Sequence, residues 1–357
     1  MDATDTDILI IGAGLSGLSL AHRLIADGRD VVVAEARSRI GGRVLSEGPR
    51  ALDLGPSWFW AGQPQMAGLV RNMKLDVFEQ YAEGSLVFQD PSGAVRRDIE
   101  MAPMAGSLRI AGGMAAVTEG LARLLPGQAL WLGYKLARLE DNGSAVIAHL
   151  TSADGQQIVK ARTVGLAIPP RVAAESIEFQ PALSAVATRA MQQVPTWMAG
   201  HAKVVAVYRR PFWREAGLSG DAISHLGPLA EIHDASPMDG SCGALFGFAG
   251  LLAPARRALG EVAFRERICQ QLSALFGEDA AMPDEILIRD WADDPLTATA
   301  LDDDPPPGHP TYGLPQSLRD LWGGKLHLAS TETAEQFGGY LEGALEAAEQ
   351  AFSLLSR

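Results

Sequence analysis

The stretch that decides the fold is DILIIGAGLSGLSLAHRLIADGRDVVVAEARSRIGGR, residues 7–43. It opens on the apolar run ILII, which is typical of a parallel strand buried on both faces. Gly12, Gly14 and Gly17 follow at once and lead into a helical segment. A second strand, VVV, comes next and is followed by Glu35. Strand, glycine turn, helix, strand and acid in this order predict a dinucleotide-binding βαβ unit.

Each part of this unit has a mechanical task when a dinucleotide binds. Gly12 permits the tight turn, Gly14 lets the backbone approach a pyrophosphate, and Gly17 allows close packing of helix on strand. The helix N-terminus then presents unpaired N–H groups and a favourable dipole to the phosphates. Glu35 can accept hydrogen bonds from a ribose hydroxyl, and an acid there disfavours the 2′-phosphate of NADP. The alternative is a purely structural glycine turn, and the motif alone does not choose between NAD and FAD.

The composition of the 357-residue chain excludes several classes of protein. Hydrophobic residues make up 47% and charged residues 20%, an ordinary globular balance with material for about two domains of roughly 150 residues. The formal net charge of −13 argues against nucleic acid, whose binding depends on basic contacts to phosphate. The only cysteines, Cys242 and Cys269, have a spacing that predicts neither a disulfide framework nor a metal site.

We expect no targeting signal at the N-terminus. The N-terminal sequence MDATDTDILIIG is acidic and enters the first strand without a basic region. No apolar stretch approaches the roughly 18 residues of a membrane span. We therefore expect a cytoplasmic protein that does not bind a membrane.

The residues that follow Glu35 choose the cofactor. Ala36, Arg37, Gly42 and Arg43 belong to EARSRIGGR, which resembles the EARxRxGGR signature of the flavin-containing amine oxidases, the monoamine and polyamine oxidase-like family. In that family the glycines bring backbone to the pyrophosphate and the arginines help to neutralise it. The resemblance implies FAD as the cofactor. The alternative is a solvated basic loop.

A second family segment follows at 53–58, DLGPSW. Gly55, Ser57 and Trp58 match the DxGxxW/Y pattern that passes beside the isoalloxazine ring in the family. Pro56 stands where the family usually has a glycine, and proline has no N–H to donate at that position.

The resemblance continues through the middle of the chain. Leu136 lies in WLGYKLARLE, an apolar-spaced segment read as one strand, where the family places a backbone contact to adenine. Trp291, in RDWADD, also matches a cofactor-binding position. An IAGGM segment at 110–114 and a VGLAIPP segment at 164–170 keep the family's order.

Lys203 begins the apolar run of HAKVVAVYRRPFWR, residues 201–214. In monoamine and polyamine oxidases a lysine begins such a strand ten residues before the tryptophan of PFW, and Trp213 has that register here. The resemblance implies that Lys203 holds a water beside flavin N5. The alternative is a strand-end lysine whose ammonium reaches water.

We interpret the seven histidines as surface residues or as buried residues with hydrogen-bond partners. The exception is His201, which shares a strand face with Lys203.

The C-terminal segment resembles the family's AGTET…GYxEGA ending. Ser330 and Thr331 precede the glycine pair, and Gly339, Tyr340 and Leu341 open the final helix. The resemblance places this helix N-terminus at the flavin pyrimidine, where N–H groups and the dipole would stabilise negative charge. The alternative is a glycine pair that only caps the helix.

Three departures from the family pattern carry further predictions. Ala300 stands where mitochondrial monoamine oxidases have the flavin-linking cysteine, which predicts non-covalent FAD.

Tyr340 matches one of the two tyrosines that flank the amine in the family, whereas the other position is Leu301. The aromatic residues that are candidates to replace the missing tyrosine are Trp58, Trp60 and Phe337.

The segment 85–109 lacks the family's helical insertion. We therefore expect a shallower, more open site, or one covered by a partner chain, for instance in a homodimer.

The implied fold is α/β, with a Rossmann-type FAD-binding domain of the GR2 type and a discontinuous, shortened α+β substrate domain. The FAD-binding domain is expected at 1–71, 108–170 and 296–357, and the substrate domain at 72–107 and 171–295.

The implied reaction is oxidation of an amine C–N bond, with hydride transfer to flavin N5, imine hydrolysis and reoxidation by O2 to give H2O2. Lys203 and Tyr340 are the expected catalytic residues. The alternatives are a FAD-dependent desaturase or porphyrinogen-type oxidase acting on C–C bonds, and a non-catalytic flavoprotein that serves as an interaction module.

Overall fold

A computed structural model describes residues 3–356. Its first elements are the predicted βαβ unit: β1 (Thr4–Ile11), α1 (Leu15–Ala26) and β2 (Val31–Glu35). The strands are parallel, and α1 packs against them through a fully buried apolar stripe. A Cβ on Gly17 would lie 2.0 Å from the carbonyl oxygen of Gly12. The helix can therefore sit this close to the turn only because residue 17 is glycine.

The remaining strands are β3 (Ser46–Glu47), β4 (Leu52–Asp53), β5 (Phe59–Trp60), β6 (Val77–Glu79), β7 (Ser85–Gln89), β8 (Val95–Ile99), β9 (Ser107–Ile110), β10 (Leu130–Leu132), β11 (Lys135–Asp141), β12 (Val146–Ser152), β13 (Gly155–Leu166), β14 (Glu178–Gln180), β15 (Ala202–Tyr208), β16 (Leu218–Ser224), β17 (Leu229–Asp234), β18 (Gly243–Ala249), β19 (Glu285–Asp290) and β20 (Leu326–Leu328). The remaining α-helices are α2 (Pro64–Asn72), α3 (Ala115–Leu124), α4 (Pro170–Ser176), α5 (Ala185–Gln193), α6 (Phe212–Glu215), α7 (Ala253–Leu259), α8 (Glu261–Phe276) and α9 (Leu341–Leu355).

The first sheet has the order β10-β2-β1-β13-β12-β11-β14, with β20 beside the end of β13. Its strands β10, β2, β1 and β13 are parallel, as the Rossmann-type prediction requires. Alternate residues of β1 enter two different cores: Ile8 and Ile10 pack with α1 and α9, and Leu9 and Ile11 pack on the opposite face. This explains why the strand is apolar throughout.

The segment WLGYKLARLE is two strands and not the single strand expected from its apolar spacing. Gly133, with φ +80°, turns the chain between β10 and β11. As a result β10 extends the parallel part of the sheet beside β2, whereas β11 is antiparallel to β12. Apolar spacing did not reveal this break because the residues on both sides of the turn are apolar.

The second sheet has the order β19-β15-β18-β17-β16-β7-β8 and is largely antiparallel. Every residue of β15 is buried, because β18 and β19 flank it and apolar cores cover both of its faces. The register pairs Lys203 of β15 with Phe248 of β18, and Phe248 with Glu231 of β17. These three residues therefore lie side by side across the sheet.

The segment that follows the first sheet's long strand stays with that sheet. Glu178–Gln180 pairs with β11, and Ala173, Ile177, Ala187 and Met191 pack into the core beneath it. Within residues 3–356, none of the helices combines the length and the apolar character needed to cross a bilayer.

Candidate active site

A cavity of about 710 Å³ runs between the two sheets. Most of the residues expected at the site line it: Gly12, Gly14, Glu35, Arg37, Gly42, Arg43, Gly55, Ser57, Trp58, Lys203, Trp291, Ser330, Thr331, Gly339, Tyr340 and Leu341. Ala36 and Leu136 line a small adjoining pocket beside Glu35, and Gly17 lies behind the glycine turn. We call the part around Gly12, Glu35 and Arg37 the dinucleotide end, and the part around Trp58, Lys203 and Glu231 the substrate end.

Glu35 anchors the dinucleotide end. It is buried, and its two oxygens accept hydrogen bonds of 2.8 Å from the backbone N–H groups of Ala13 and Arg37. The Arg37 guanidinium also bonds Asp294 at 2.9 Å and Thr297 at 3.0 Å. These contacts hold the acid and the arginine in place at the edge of the cavity.

Arg43 lies where the glycine pair of 41–42 meets the C-terminal segment. Its guanidinium forms a 2.6 Å ion pair with Glu332, which is fully buried. Burial alone would lower the pKa of Arg43, but the Glu332 carboxylate raises it overall, so the side chain stays cationic. Nearby, the Ser330 hydroxyl is buried and has no hydrogen-bond partner among residues 3–356. A buried hydroxyl without a partner at a cavity wall suits a ligand oxygen, such as one from a phosphate.

Lys203 does not reach bulk water. Its side chain is only 3% exposed, and its ammonium donates hydrogen bonds to the Gly55 carbonyl at 2.9 Å and the Ser57 hydroxyl at 2.6 Å. The ammonium also lies 4.0 Å from the centre of the Phe246 ring, a cation–π contact. Gly55 and Ser57 belong to the DLGPSW segment, so Lys203 joins the second sheet to the segment expected beside the flavin.

Burial lowers the pKa of Lys203 to about 7. The nearby carboxylate of Asp53 opposes this shift and the Arg109 guanidinium adds to it. Burial in turn raises the pKa of Asp53, against the influence of Lys203. Lys203 thus titrates near neutral pH, where a small change in surroundings changes its charge.

The start of α9 forms the wall opposite the second sheet. Leu341 and Ala344 line the cavity there. The Thr331 hydroxyl accepts from the Gly339 N–H at 3.0 Å and donates to the Tyr340 carbonyl at 2.9 Å, which fixes the turn that leads into the helix. The first-turn N–H groups of a helix have no partner within it, so this end can stabilise negative charge on a ligand.

The aromatic residues around Tyr340 differ from the pair of tyrosines that the family pattern implies. Leu301 is 52% exposed and is not part of the cavity wall, and neither is Phe337, whereas Trp58 and Trp60 both line it. The ring that accompanies Tyr340 is His309, which stacks on it with centroids 4.8 Å apart. His309 also hydrogen-bonds the Gly338 carbonyl at 2.9 Å. No sequence pattern singles out His309, because the proline-rich segment around it has no periodicity.

His201 lines the cavity, as its strand face suggested. Its Nδ1 is buried and has no partner among the described residues. Burial, with help from the Arg256 guanidinium, lowers the pKa of His201, so the imidazole is neutral at pH 7.

One further group at the substrate end is not predicted from the sequence. His233 is 1% exposed, and its two ring nitrogens bond Asp221 at 2.8 Å and Glu231 at 2.7 Å. Trp58 packs edge-on against the His233 ring at 5.0 Å. The sequence feature that indicates this group is the pattern EIH in AEIHD, because residues two apart on a strand share a face and Glu231 can therefore meet His233. The scattered histidine positions alone do not distinguish His233 from the others.

The geometry thus fits an extended dinucleotide. The glycine turn, the buried acid and the orphaned Ser330 hydroxyl line one end of the cavity, and the buried lysine and the start of α9 line the other. A Rossmann-type fold with such a cavity defines a dinucleotide-dependent oxidoreductase.

Comparisons with known proteins agree with this class. Residues 91–351 match the family model described as flavin containing amine oxidoreductase, and residues 10–73 match the NAD(P)-binding Rossmann-like domain. The chain belongs to the flavin-containing amine oxidase family. The family match confirms the resemblance, the Rossmann-type α/β fold, FAD as the cofactor and the assignment as an oxidoreductase.

Individual relatives are distant but align over most of their length. The flavin-containing amine oxidase B of Sus scrofa is 26% identical over 97% of this chain and 85% of its own length. The putrescine oxidase of Kocuria rosea is 24% identical over 79% of this chain and 81% of its own. The solved structure of cyclohexylamine oxidase from Brevibacterium oxydans superposes with a TM-score of 0.82 at 22% identity, covering 99% of each chain. At this identity the structural likeness shows the fold.

Proposed function

We propose that this protein uses FAD to oxidise a C–N bond of a small amine, with dioxygen as electron acceptor. The observation that carries the proposal is the buried Lys203, which hydrogen-bonds the segment expected beside the flavin and faces the cavity. FAD, when bound, would supply the two-electron chemistry, with the electrons of the amine passing to dioxygen to give hydrogen peroxide. The imine product hydrolyses to a carbonyl compound and ammonia or a smaller amine.

The chain's own residues orient and support this chemistry. Gly12, Gly14, Glu35 and Arg37 hold the dinucleotide, and the start of α9 supports negative charge at the pyrimidine. Lys203 positions a water at the reacting face. Tyr340 forms one side wall for the amine.

We further propose that FAD is held without a covalent bond. Ala300 has no reactive side chain, and neither Cys242 nor Cys269 lines the cavity among the described residues. Acid precipitation of the purified protein should release all of the yellow colour into the supernatant. Colour that stays in the pellet would contradict the non-covalent binding of FAD but not the proposed amine oxidation.

The division into two domains is likewise a proposal, supported by the two separate sheets and their separate cores. We place 171–193 with the FAD-binding part, because this segment packs beneath the first sheet. Limited proteolysis should then cut near 194–200 in preference to 171.

The function is tested by anaerobic titration of the purified holoprotein with a panel of primary and secondary amines. At least one amine should bleach the visible flavin absorbance, and admission of air should restore it with release of peroxide. If no amine bleaches the flavin, the proposal is wrong and C–C desaturation becomes the reaction to test.

A further inference from the structure

The Ser57 hydroxyl has a proton for which the protein offers no acceptor. Ser57 is 5% exposed, and its Oγ accepts a hydrogen bond of 2.6 Å from the Lys203 ammonium. A serine hydroxyl that accepts a hydrogen bond still has its own proton to donate. Within residues 3–356 no group accepts this proton, and Ser57 lines the cavity. A buried donor in this position fits an oxygen of a molecule that occupies the cavity.

The Lys203 ammonium has two hydrogen-bond acceptors, and they differ in what they can do with a proton. The Gly55 carbonyl, at 2.9 Å, has no proton of its own to release. The Phe246 ring lies 4.0 Å from the ammonium and offers only its π face. The Ser57 hydroxyl can take up a proton on one side while it releases its own on the other. Among the described partners of Lys203, Ser57 is therefore the one that can carry a proton onward.

The segment that carries Ser57 is held in place on both sides. Pro56 fixes the backbone φ angle directly before it. Trp58, directly after it, donates a hydrogen bond of 2.8 Å from its indole Nε1 to the buried Gln80. The hydroxyl therefore keeps its position beside the Lys203 ammonium, at a distance typical of a hydrogen bond to a charged donor.

The proton balance of the proposed reaction gives such a hydroxyl a task. Dioxygen takes up two electrons and two protons when it becomes hydrogen peroxide. The amine delivers its two electrons together with one proton, as a hydride equivalent, so one further proton is needed in each turnover. Burial lowers the pKa of Lys203 to about 7, so the ammonium can give up a proton and regain it near neutral pH. An acid with such a pKa is well matched to proton donation during catalysis.

We propose that Ser57 relays a proton from the Lys203 ammonium to dioxygen as it is reduced in the cavity. An N–H bond of Lys203 breaks as a new O–H bond forms on Ser57, and the former Ser57 O–H bond breaks as an O–H bond of peroxide forms. Lys203 is left neutral and recovers its proton from the next substrate ammonium, which must lose one to react. This inference rests on the proposed amine oxidation with dioxygen as acceptor and adds a residue to its oxidative half.

The test uses two variants of nearly equal shape. Ser57→Thr keeps the hydroxyl, whereas Ser57→Val replaces it with a methyl group, so that no water can take its place. The flavin of each holoprotein is reduced by light without any amine and then mixed with oxygen in a stopped-flow instrument. Ser57→Val should reoxidise at least about tenfold more slowly than Ser57→Thr, as expected for the loss of a proton donor. Ser353→Ala, at an exposed position on α9, is the control and should behave as wild type.

A double variant shows whether the two residues act in one path. Lys203→Met removes the proton source, so Ser57 has nothing left to relay. Ser57→Val combined with Lys203→Met should therefore reoxidise no more slowly than Lys203→Met alone. If the two single effects multiply instead, Ser57 and Lys203 act independently and the relay is wrong.

A pH titration of the oxidised holoprotein gives a readout that does not depend on turnover. The visible spectrum of bound flavin reports the charge of Lys203 beside it, and Asp53 and Arg109, the other charged groups that act on Lys203, are the same in both variants. The hydroxyl stabilises the ammonium, so the pKa of Lys203 should be lower in Ser57→Val than in Ser57→Thr by about one pH unit. Equal values would show that the hydroxyl does not hold the ammonium, which contradicts the relay.

The outcomes separate this proposal from the proposed function. If the two variants reoxidise equally fast, the relay is wrong while amine oxidation stands. If Ser57→Val slows flavin reduction by an amine as much as it slows reoxidation, Ser57 only maintains the shape of the site and the relay is again wrong. If no amine bleaches the flavin, amine oxidation is wrong, and the comparison after reduction by light still decides whether Ser57 carries the proton.

Discussion

The two ends of the cavity hold their charges in different ways. At the dinucleotide end both oxygens of Glu35 accept hydrogen bonds from backbone N–H groups of the same segment, those of Ala13 and Arg37. At the substrate end Lys203 bonds Ser57, which lies 146 residues away in the chain. Glu231 is held by His233 on its own strand, and His233 bonds Asp221 of the neighbouring strand. The first arrangement is a property of one local motif. The second exists only after the second sheet has formed, because its residues come from three strands of that sheet.

The largest effect should follow from a change in the local motif. Gly17→Ala would place a Cβ 2.0 Å from the Gly12 carbonyl oxygen, which forces α1 away from the turn. We expect the free energy of unfolding to fall by about 3 kcal/mol and FAD to be lost on gel filtration. Gly68→Ala in α2, where a Cβ meets nothing within 4 Å, is the control and should be neutral or slightly stabilising. A Gly17→Ala protein that keeps its FAD would show that the turn tolerates displacement.

A change at the substrate end should leave FAD bound and slow the oxidative half-reaction, in which oxygen reoxidises the flavin. Lys203→Met keeps the length of the side chain and removes the ammonium that bonds Gly55 and Ser57. We expect stopped-flow reoxidation by oxygen to slow by at least about tenfold, with FAD content unchanged. Lys160→Met, at an exposed position in the first sheet, should leave the rate as in wild type. Unchanged oxidative kinetics in Lys203→Met would remove Lys203 from the mechanism.

The pH dependence of reoxidation should report the same lysine. Burial lowers the pKa of Lys203 to about 7, so the cation is present below this pH and the neutral amine above it. A cation favours the transfer of electrons to oxygen because negative charge develops there. The rate should therefore decline as the pH rises through about 7, and this step should be absent in Lys203→Met. A pH profile that is the same in both proteins would assign the titration to another group.

The smallest effect is expected at His201. Its neutral imidazole faces the cavity with a buried Nδ1 that has no partner within residues 3–356. His201→Phe retains an aromatic ring of similar shape and removes the acceptor. We expect KM for the preferred amine to rise about threefold, the effect of one neutral hydrogen bond, with kcat unchanged. Equal kinetic constants would show that His201 only fills space.

At the dinucleotide end the sequence pointed to the glycine turn and to Glu35, whose hydrogen bonds lie within residues 7–43. It gave no sign that Arg37 would bond Asp294 and Thr297, because these partners lie far along the chain. At the substrate end the family resemblance pointed to Trp58, and the register to Trp213 pointed to Lys203. Glu231, His233 and Asp221 could not be assembled from the sequence, because Asp221 and His233 meet through the pairing of β16 and β17. The role of His309 was also hidden, since its stacking on Tyr340 joins an irregular segment to the start of α9.

The pairing of Lys203, Phe248 and Glu231 across three strands fixes the spacing between two charged residues of the second sheet. This spacing is set by the backbone hydrogen bonds between neighbouring strands, which hold adjacent backbones about 4.8 Å apart. A substitution at either end of the row can therefore change the separation of the two charges only by the difference in side-chain length.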